Sequence, residues 1–261
     1  MHFQWYPGHM TKAKRMMQEN IKLIDLVIEL VDARIPISSR NPDIDELGKN
    51  KARLVLLNKA DLAEDKWNDA WAEYFKAKGY SVVKVDSKKG GGIKSIQGVI
   101  REACKEKIER DRRRGIMNRP VRAMVVGIPN AGKSTFINTL AGKASAKTGN
   151  KPGVTKGKQW IRLNKSIELL DTPGILWPKF EDQMVGLRLA VVGSIKDELL
   201  QAEELALWLL GYTRSHYPGL LQARYQIPEE GSELELLGGI ANARGCKLKG
   251  DLPGYPQAAV L

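Results

Sequence analysis

Two short motifs could together bind a nucleotide. The run G-I-P-N-A-G-K-S at Gly127–Ser134 fits the phosphate-loop pattern G-x-x-x-x-G-K-S. In this pattern, backbone N–H groups and a helix N-terminus surround phosphate oxygens. Lys133 would then reach the β- and γ-phosphates, and Ser134 would ligate Mg²⁺. The second motif, N-K-A-D, occupies Asn58–Asp61. Its aspartate can accept two hydrogen bonds from guanine that adenine cannot donate, so the pair of motifs predicts GTP.

Three further segments would complete such a site. Asp171-Thr-Pro-Gly174 fits the D-x-x-G switch, whose aspartate holds Mg²⁺ through water and whose glycine N–H meets the γ-phosphate. Thr155 lies between the phosphate loop and this switch, where a threonine can close over Mg²⁺. Ser87-Lys88 is a looser match to the second base-contacting loop. The predicted nucleotide contacts are Asn58, Lys59, Ala60, Asp61, Asp86, Ser87, Lys88, Asn130, Ala131, Gly132, Lys133, Ser134, Thr135 and Gly174, with Ser134, Thr155 and Asp171 at Mg²⁺.

Ile175 follows the D-T-P-G switch at the position where many related switches carry a glutamine that orients the attacking water. An isoleucine side chain has no polar atom with which to hold water. The group that completes catalysis must come from elsewhere in the chain or from a partner, or it is absent. We therefore expect slow intrinsic hydrolysis.

The elements that must position these motifs alternate between strands and helices. Apolar runs predict strands, and polar periodic segments at 10–20, 64–78 and 93–114 predict helices. This alternation predicts an α/β fold with a parallel, doubly wound sheet, whose carboxyl edge is where ligands bind. The predicted strands are Leu26–Val31, Arg53–Leu57, Tyr80–Val85, Val121–Val126, Lys158–Leu163 and Ser166–Leu170.

The order of the motifs is inverted, since N-K-A-D precedes the phosphate loop. Ras-like switches have the opposite order, so the chain is predicted to be a circularly permuted Ras-like P-loop GTPase domain covering residues 1–178. Residues 179–261 have helical patterns near 181–192, 198–211 and 232–245, and they are predicted to form a small all-helical domain. The Gly- and Pro-rich end of the sequence is expected to be irregular.

Composition and charge bear on the class of partner and on the cellular compartment. The 261 residues are 43% hydrophobic and carry a formal net charge of +12, which is typical of a protein with a polyanionic partner such as RNA. Charge alone fits a merely solvated basic surface equally well. Cys104 and Cys246 lie far apart without a zinc-binding spacing, and we interpret both as reduced thiols. No signal-peptide pattern or long apolar stretch is evident. We expect a cytoplasmic protein that does not associate with membranes.

Together with Trp5–Met10 (W-Y-P-G-H-M) and Asp32–Pro42 (D-A-R-I-P-I-S-S-R-N-P), these motifs resemble those of the circularly permuted GTPases of large-subunit assembly. The resemblance covers nearly the whole chain. It implies binding of GTP or GDP with Mg²⁺, and association with rRNA and ribosomal proteins of a late large-subunit precursor. Hydrolysis stimulated by that particle would cause release. The resemblance also implies a catalytic role for His9 and coordination of K⁺ by Asn130. We expect a monomer away from the ribosome.

Other functions remain open. The chain could be a nucleotide-gated RNA-binding module that hydrolyses GTP only incidentally. The related permuted GTPases of small-subunit assembly need an N-terminal barrel and a zinc site, for which there is neither room before Asn58 nor a cysteine cluster. An RNA-modifying enzyme is disfavoured because no second catalytic constellation is evident. The basic segment 105–114 could equally be a solvated helix face or an RNA contact.

Overall fold

A six-stranded sheet forms the centre of the N-terminal part of the chain. The computed structural model describes residues 8–142, 158–178, 180–195, 201–250 and 252–261, apart from the side chain of His9. The strand order is β3-β2-β1-β4-β6-β5, and every pair is parallel except the antiparallel pair β5–β6. The prediction of an α/β fold is confirmed. The strands are β1 (Leu26–Asp32), β2 (Ala52–Asn58), β3 (Ser81–Val85), β4 (Val121–Gly127), β5 (Gln159–Arg162) and β6 (Ile167–Asp171).

The apolar runs explain which strands are central. All seven residues of β1 are buried, as expected for a parallel strand that is covered on both faces. By contrast, β5 at the edge buries only Ile161. The first helix buries the regularly spaced apolar residues Met10, Ala13 and Met17. The helices of this part are α1 (Gly8–Asn20), α2 (Asp43–Leu47), α3 (Asp65–Ala77), α4 (Ile96–Ala103), α5 (Lys105–Arg113) and α6 (Lys133–Ala141).

The single helix expected over 93–114 is instead broken. A 3₁₀ turn precedes α4, and Cys104 lies at the break between α4 and α5 with φ −106° and ψ 13°. Buried Ile96 and Ile100 pack α4 onto the sheet. The sequence of α5, K-E-K-I-E-R-D-R-R, contains one apolar residue and cannot continue that apolar face. The change in composition therefore accounts for the break.

The C-terminal residues are helical and form a separate compact unit. The chain divides into two units between Glu181 and Asp182. The last helix begins at Tyr255, so the end of the chain is less irregular than expected; proline at the start of a helix is compatible with helical geometry. The helices of this unit are α7 (Gln183–Val191), α8 (Ala202–His216), α9 (Leu220–Tyr225), α10 (Glu233–Ala243) and α11 (Tyr255–Ala258).

The second unit has its own apolar core. Leu236, Leu237 and Ile240 of α10 are buried together with Leu210 of α8. A capping box fixes the start of α10, because the Ser232 hydroxyl accepts from the Glu235 N–H while the Glu235 carboxylate accepts from the Ser232 N–H. In the part of the chain that the structure describes, no helix is both long and apolar enough to cross a lipid bilayer.

Candidate functional site

The predicted motifs converge at the carboxyl edge of the sheet. The phosphate loop follows β4, and Asp171 is the last residue of β6. Asn58 ends β2 in register with Asp32, which ends the neighbouring strand β1. Asp86 follows β3. Parallel strands end at one edge, so segments far apart in sequence meet there.

Gly132 and Asn130 of the phosphate loop have left-handed backbone conformations. Gly132 has φ +95°, and a Cβ atom added there would lie 2.4 Å from Asn58 Nδ2. Only glycine accommodates this close approach without displacing the asparagine. Asn130 also has a left-handed backbone, with φ 57°, in the region that asparagine tolerates better than most residues. Helix α6 then begins at Lys133, so its N-terminus faces the loop.

Asn58 joins three loops of the site. Its Nδ2 donates a hydrogen bond of 2.6 Å to the carbonyl oxygen of Ala131 in the phosphate loop. Its Oδ1 accepts from the Ser87 hydroxyl at 2.7 Å and from the Ser87 N–H at 3.2 Å. Thr139 of α6 donates to the Ser87 carbonyl oxygen at 2.7 Å. The N-K-A-D segment, the S-K loop and the phosphate loop are therefore held together by one buried amide.

Lys133 and Asp171 form the charged interior of the site. Lys133 Nζ donates to the carbonyl oxygens of Gly127 and Ile128 at 3.0 and 2.9 Å. Burial lowers the pKa of Lys133 to about 8, although the charge of Asp171 opposes this shift. Burial likewise raises the pKa of Asp171 to about 6 against the opposing effect of Lys133. Bound phosphate would favour the charged form of the lysine.

The residues around Asp171 fit a divalent cation. Asp171 is 1% exposed, and its Oδ1 accepts no hydrogen bond from any described residue. A buried carboxylate oxygen without a donor is suited to a cation or to water bound by one. A Cβ at Gly174 would lie 2.9 Å from Lys133 Nζ and 2.8 Å from Pro129 N. The D-T-P-G segment thus lies directly against the phosphate loop.

The outer part of the site contains an ionic cluster that lies outside the predicted nucleotide contacts apart from Lys59. Lys59 has a left-handed backbone, and its Nζ lies 2.9 Å from Asp32 Oδ2. Arg34 donates to both oxygens of Asp32, at 2.8 and 2.7 Å. An acidic residue at the end of a mostly apolar strand is the signal in the sequence that identifies Asp32. Asp61, the predicted guanine acceptor, is exposed, and the Lys89 ammonium lies 3.9 Å from its carboxylate.

The positions associated with hydrolysis are only partly described. Ile175 is 2% exposed, and its N–H donates to the Gly127 carbonyl oxygen at 3.4 Å, so its side chain packs in the interior. His9 lies in α1, but its side chain is outside the described residues. Thr155 also lies outside them. Lys88 is exposed beside the buried Ser87.

Comparisons with known proteins agree with this geometry. The profile of a family described as "50S ribosome-binding GTPase" matches residues 122–220. Ribosome biogenesis GTPase A of Bacillus cereus is 50% identical, covering 100% of this chain and 88% of that protein. The protein of the same name from Thermotoga maritima is 34% identical, with 98% and 87% covered. The crystal structure of GNP-bound YlqF from T. maritima superposes with a TM-score of 0.64 at 30% identity, covering 95% of this chain and 90% of that one.

Proposed function

The chain belongs to the ribosome biogenesis GTPase A family, and from that premise we propose that it binds a late precursor of the large ribosomal subunit in the cytoplasm. It is a circularly permuted GTPase, and hydrolysis stimulated by the particle would release it. The observation that carries the nucleotide assignment is the Asn58 amide, which joins the predicted base-reading and phosphate-binding loops. The net charge of +12 supports a partner rich in RNA.

Each part of the site would act on a different part of GTP. Asp61 would accept from guanine, and the predicted contacts at 86–88 would complete the base site. Lys133 and the N-terminus of α6 would stabilise the charge that develops on the phosphates. Mg²⁺ would be held by Ser134, Thr155 and Asp171, and when bound it supplies charge neutralisation between the β- and γ-phosphates. Asn130 is the candidate ligand for K⁺.

Catalysis needs a group that the switch itself does not contain. Ile175 is apolar and buried, so it cannot orient the attacking water. We assign this role to His9 on the basis of the family resemblance, and position 9 lies at the start of α1. Stimulation by the particle would then reflect the correct placement of this group.

Because of the permuted order, only a short stretch of chain connects the D-T-P-G switch to the C-terminal unit. The D-T-P-G segment is followed within a few residues by the start of that unit at Asp182. Residues 179–261 are the proposed rRNA-contacting domain. A change at Gly174 on loss of the γ-phosphate would therefore be transmitted along the chain towards it. We propose that the protein is a monomer when it is not on the ribosome.

Sedimentation and turnover with purified ribosomal subunits test this function. The protein should co-sediment with the large subunit in a non-hydrolysable GTP analogue and dissociate in GDP. Large subunits should raise its multiple-turnover rate from an intrinsic value below about 1 s⁻¹. A His9→Ala variant should keep the GTP affinity and lose most of the stimulation.

The outcomes separate the alternatives. Nucleotide-dependent binding to the large subunit without any stimulated hydrolysis would instead favour an RNA-binding module. Unchanged stimulation of His9→Ala would remove the assignment of His9 and leave the rest of the proposal intact. Equal association with both subunits would contradict the large-subunit assignment.

A further inference from the structure

A basic cleft lies at the end of the sheet opposite the nucleotide motifs. Its walls come from α4, α5, the segment leading into β4, and the turn between β5 and β6. Val121 begins β4 and lies at this cleft, whereas Gly127 ends the same strand at the phosphate loop. The seven-residue strand therefore separates the two places by roughly 20 Å. The charged residues lining the cleft are Arg101, Lys107, Asp111, Arg112, Arg119 and Lys165, together with Arg162.

The positive charge of this cleft is only partly neutralised. Its one lining carboxylate, Asp111, is paired with Lys107 at 3.0 Å and lies 3.9 Å from Arg119. Arg101, Arg112 and Lys165 are exposed, and among the described residues no carboxylate forms an ion pair with them. Three exposed cations around one cleft are suited to successive phosphates of a nucleic-acid backbone.

A second, smaller cleft adjoins the first and contains an aromatic side chain. Arg162 lines both clefts, and the second also contains Trp160 and Arg122. The Trp160 ring is 38% exposed on the edge strand β5. The Arg122 guanidinium lies 5.4 Å from the ring centroid and is paired with Glu168 at 3.2 Å. Arg122 therefore neutralises Glu168, the carboxylate of the second cleft, and contacts the Trp160 ring beside the cationic cleft.

We propose that these adjoining clefts bind single-stranded RNA, with phosphates at the cationic cleft and one base stacked on Trp160. Exposed cations beside a stacking aromatic are the combination by which proteins bind unpaired strands, whereas the bases of a duplex are already stacked and unavailable. The choice of RNA rests on the proposed function. Nucleotide binding at the other end of β4 is not required for this contact.

Fluorescence anisotropy with a labelled 12-nucleotide oligoadenylate tests the surface directly. The triple variant Arg101→Gln, Arg112→Gln, Lys165→Gln should bind at least tenfold more weakly in 50 mM KCl. The slope of log affinity against log salt concentration should fall in magnitude by about 2, because roughly 0.7 counterions are released per phosphate contact on a single strand. The matched control replaces Lys66, Lys76 and Lys78, three exposed lysines on or next to α3, with glutamine. The control variant should change the oligoadenylate affinity and the salt slope less than the triple variant of the cleft does.

Trp160 provides an arm of the test that is independent of charge. Trp160→Ala should weaken oligoadenylate binding roughly 5- to 150-fold, and Trp160→Phe should stay near wild type. GDP affinity should be unchanged in every variant, which also establishes that each is folded. Equal losses in the two triple variants, or no loss in Trp160→Ala, would overturn the proposal.

Competition experiments decide the class of partner. Tighter binding of a 12-base-pair RNA duplex than of oligoadenylate would contradict a site for unpaired RNA. Displacement of oligoadenylate by an equal concentration of 12-residue polyglutamate would indicate an acidic protein as the partner instead. These measurements use no ribosomal particles. If the protein co-sediments with the large subunit but does not bind oligoadenylate, only the proposed RNA-binding surface is refuted. If it binds oligoadenylate but does not co-sediment with the large subunit, only the proposed large-subunit function is refuted.

Discussion

Asp32 is a fully buried carboxylate whose negative charge is stabilised by two cations, Arg34 and Lys59. Burial alone would raise its pKa, but hydrogen bonds from Arg34 and the charge of Lys59 outweigh that effect and hold the pKa below its ordinary value of 3.8. The side chain therefore stays ionised at neutral pH. Because Lys59 is the second residue of N-K-A-D, Asp32 fixes the base-reading segment without itself reaching the phosphate loop.

Replacing Asp32 with asparagine should weaken nucleotide binding. The amide has the shape of the carboxylate, but it has no negative charge, and an NH2 donor replaces one of the two oxygens that accept from Arg34 and Lys59. Lys59 would therefore lose its fixed position. We expect GTP and GDP affinities to fall roughly tenfold, or about 1.4 kcal/mol, as measured by calorimetric titration. Since the carboxyl group stays ionised well above its lowered pKa, the deficit should be equal at pH 6 and pH 8. Asp69→Asn, which removes an exposed partner of Lys84, is the matched control.

A deficit in Asp32→Asn no larger than that in Asp69→Asn would mean that Lys59 does not depend on this partner. A deficit that disappears at pH 6 would mean that the carboxylate is already protonated there, contrary to its lowered pKa. The first result would remove Asp32 from the nucleotide site, and the second would contradict the lowered pKa of its carboxyl group.

Among the secondary-structure elements, the sequence predicts the motifs that follow each strand. It does not predict contacts between elements that are distant in sequence. Each nucleotide motif occupies a few consecutive residues after an apolar strand, so both its identity and its edge of the sheet could be predicted. The bond from Asn58 to Ala131 joins residues 73 positions apart, and no local pattern predicts it. The sequence does not predict the break at Cys104, because residues with high helix propensity continue on both sides of it. Only the loss of regularly spaced apolar residues marks the end of α4.

That break places a thiol in an unreactive environment. Burial raises the pKa of Cys104 to about 11, and the nearby charge of Asp25 adds to this effect, while Lys107 opposes it. At pH 8 only about 0.1% of this thiol would be thiolate, the form that reacts with disulfide reagents. Cys246 is partly exposed. We expect a Cys246→Ser variant to react with Ellman's reagent only on unfolding and a Cys104→Ser variant to react readily in the native state.

Comparable native rates for the two single-cysteine variants would show that the junction between α4 and α5 opens readily. A rate for Cys104 that rises with pH in proportion to thiolate, without any urea, would indicate direct access to solvent. The expected result is a rate that follows the urea-induced unfolding of the GTPase unit.

The division between Glu181 and Asp182 separates two cores of different construction. The GTPase unit buries β1, β2 and β4 in a mostly parallel sheet, whereas the described core of the C-terminal unit consists mainly of helical side chains such as Leu237. The predicted nucleotide site lies in the first unit alone. A ligand stabilises only the structure that binds it, by about 2.7 kcal/mol at a concentration one hundred times its dissociation constant.

Scanning calorimetry should therefore resolve two unfolding transitions that respond to different changes. Saturating GDP should raise the transition of the GTPase unit and leave the other in place. Leu237→Ala should lower only the C-terminal transition, since truncating a buried leucine costs about 2–5 kcal/mol of unfolding free energy. Leu54→Ala in β2 is the matched substitution for the GTPase unit and should lower only the transition that GDP raises. One transition shifted by all three changes would mean that the two cores unfold as a single cooperative structure, which would make the connection after Gly174 a rigid link.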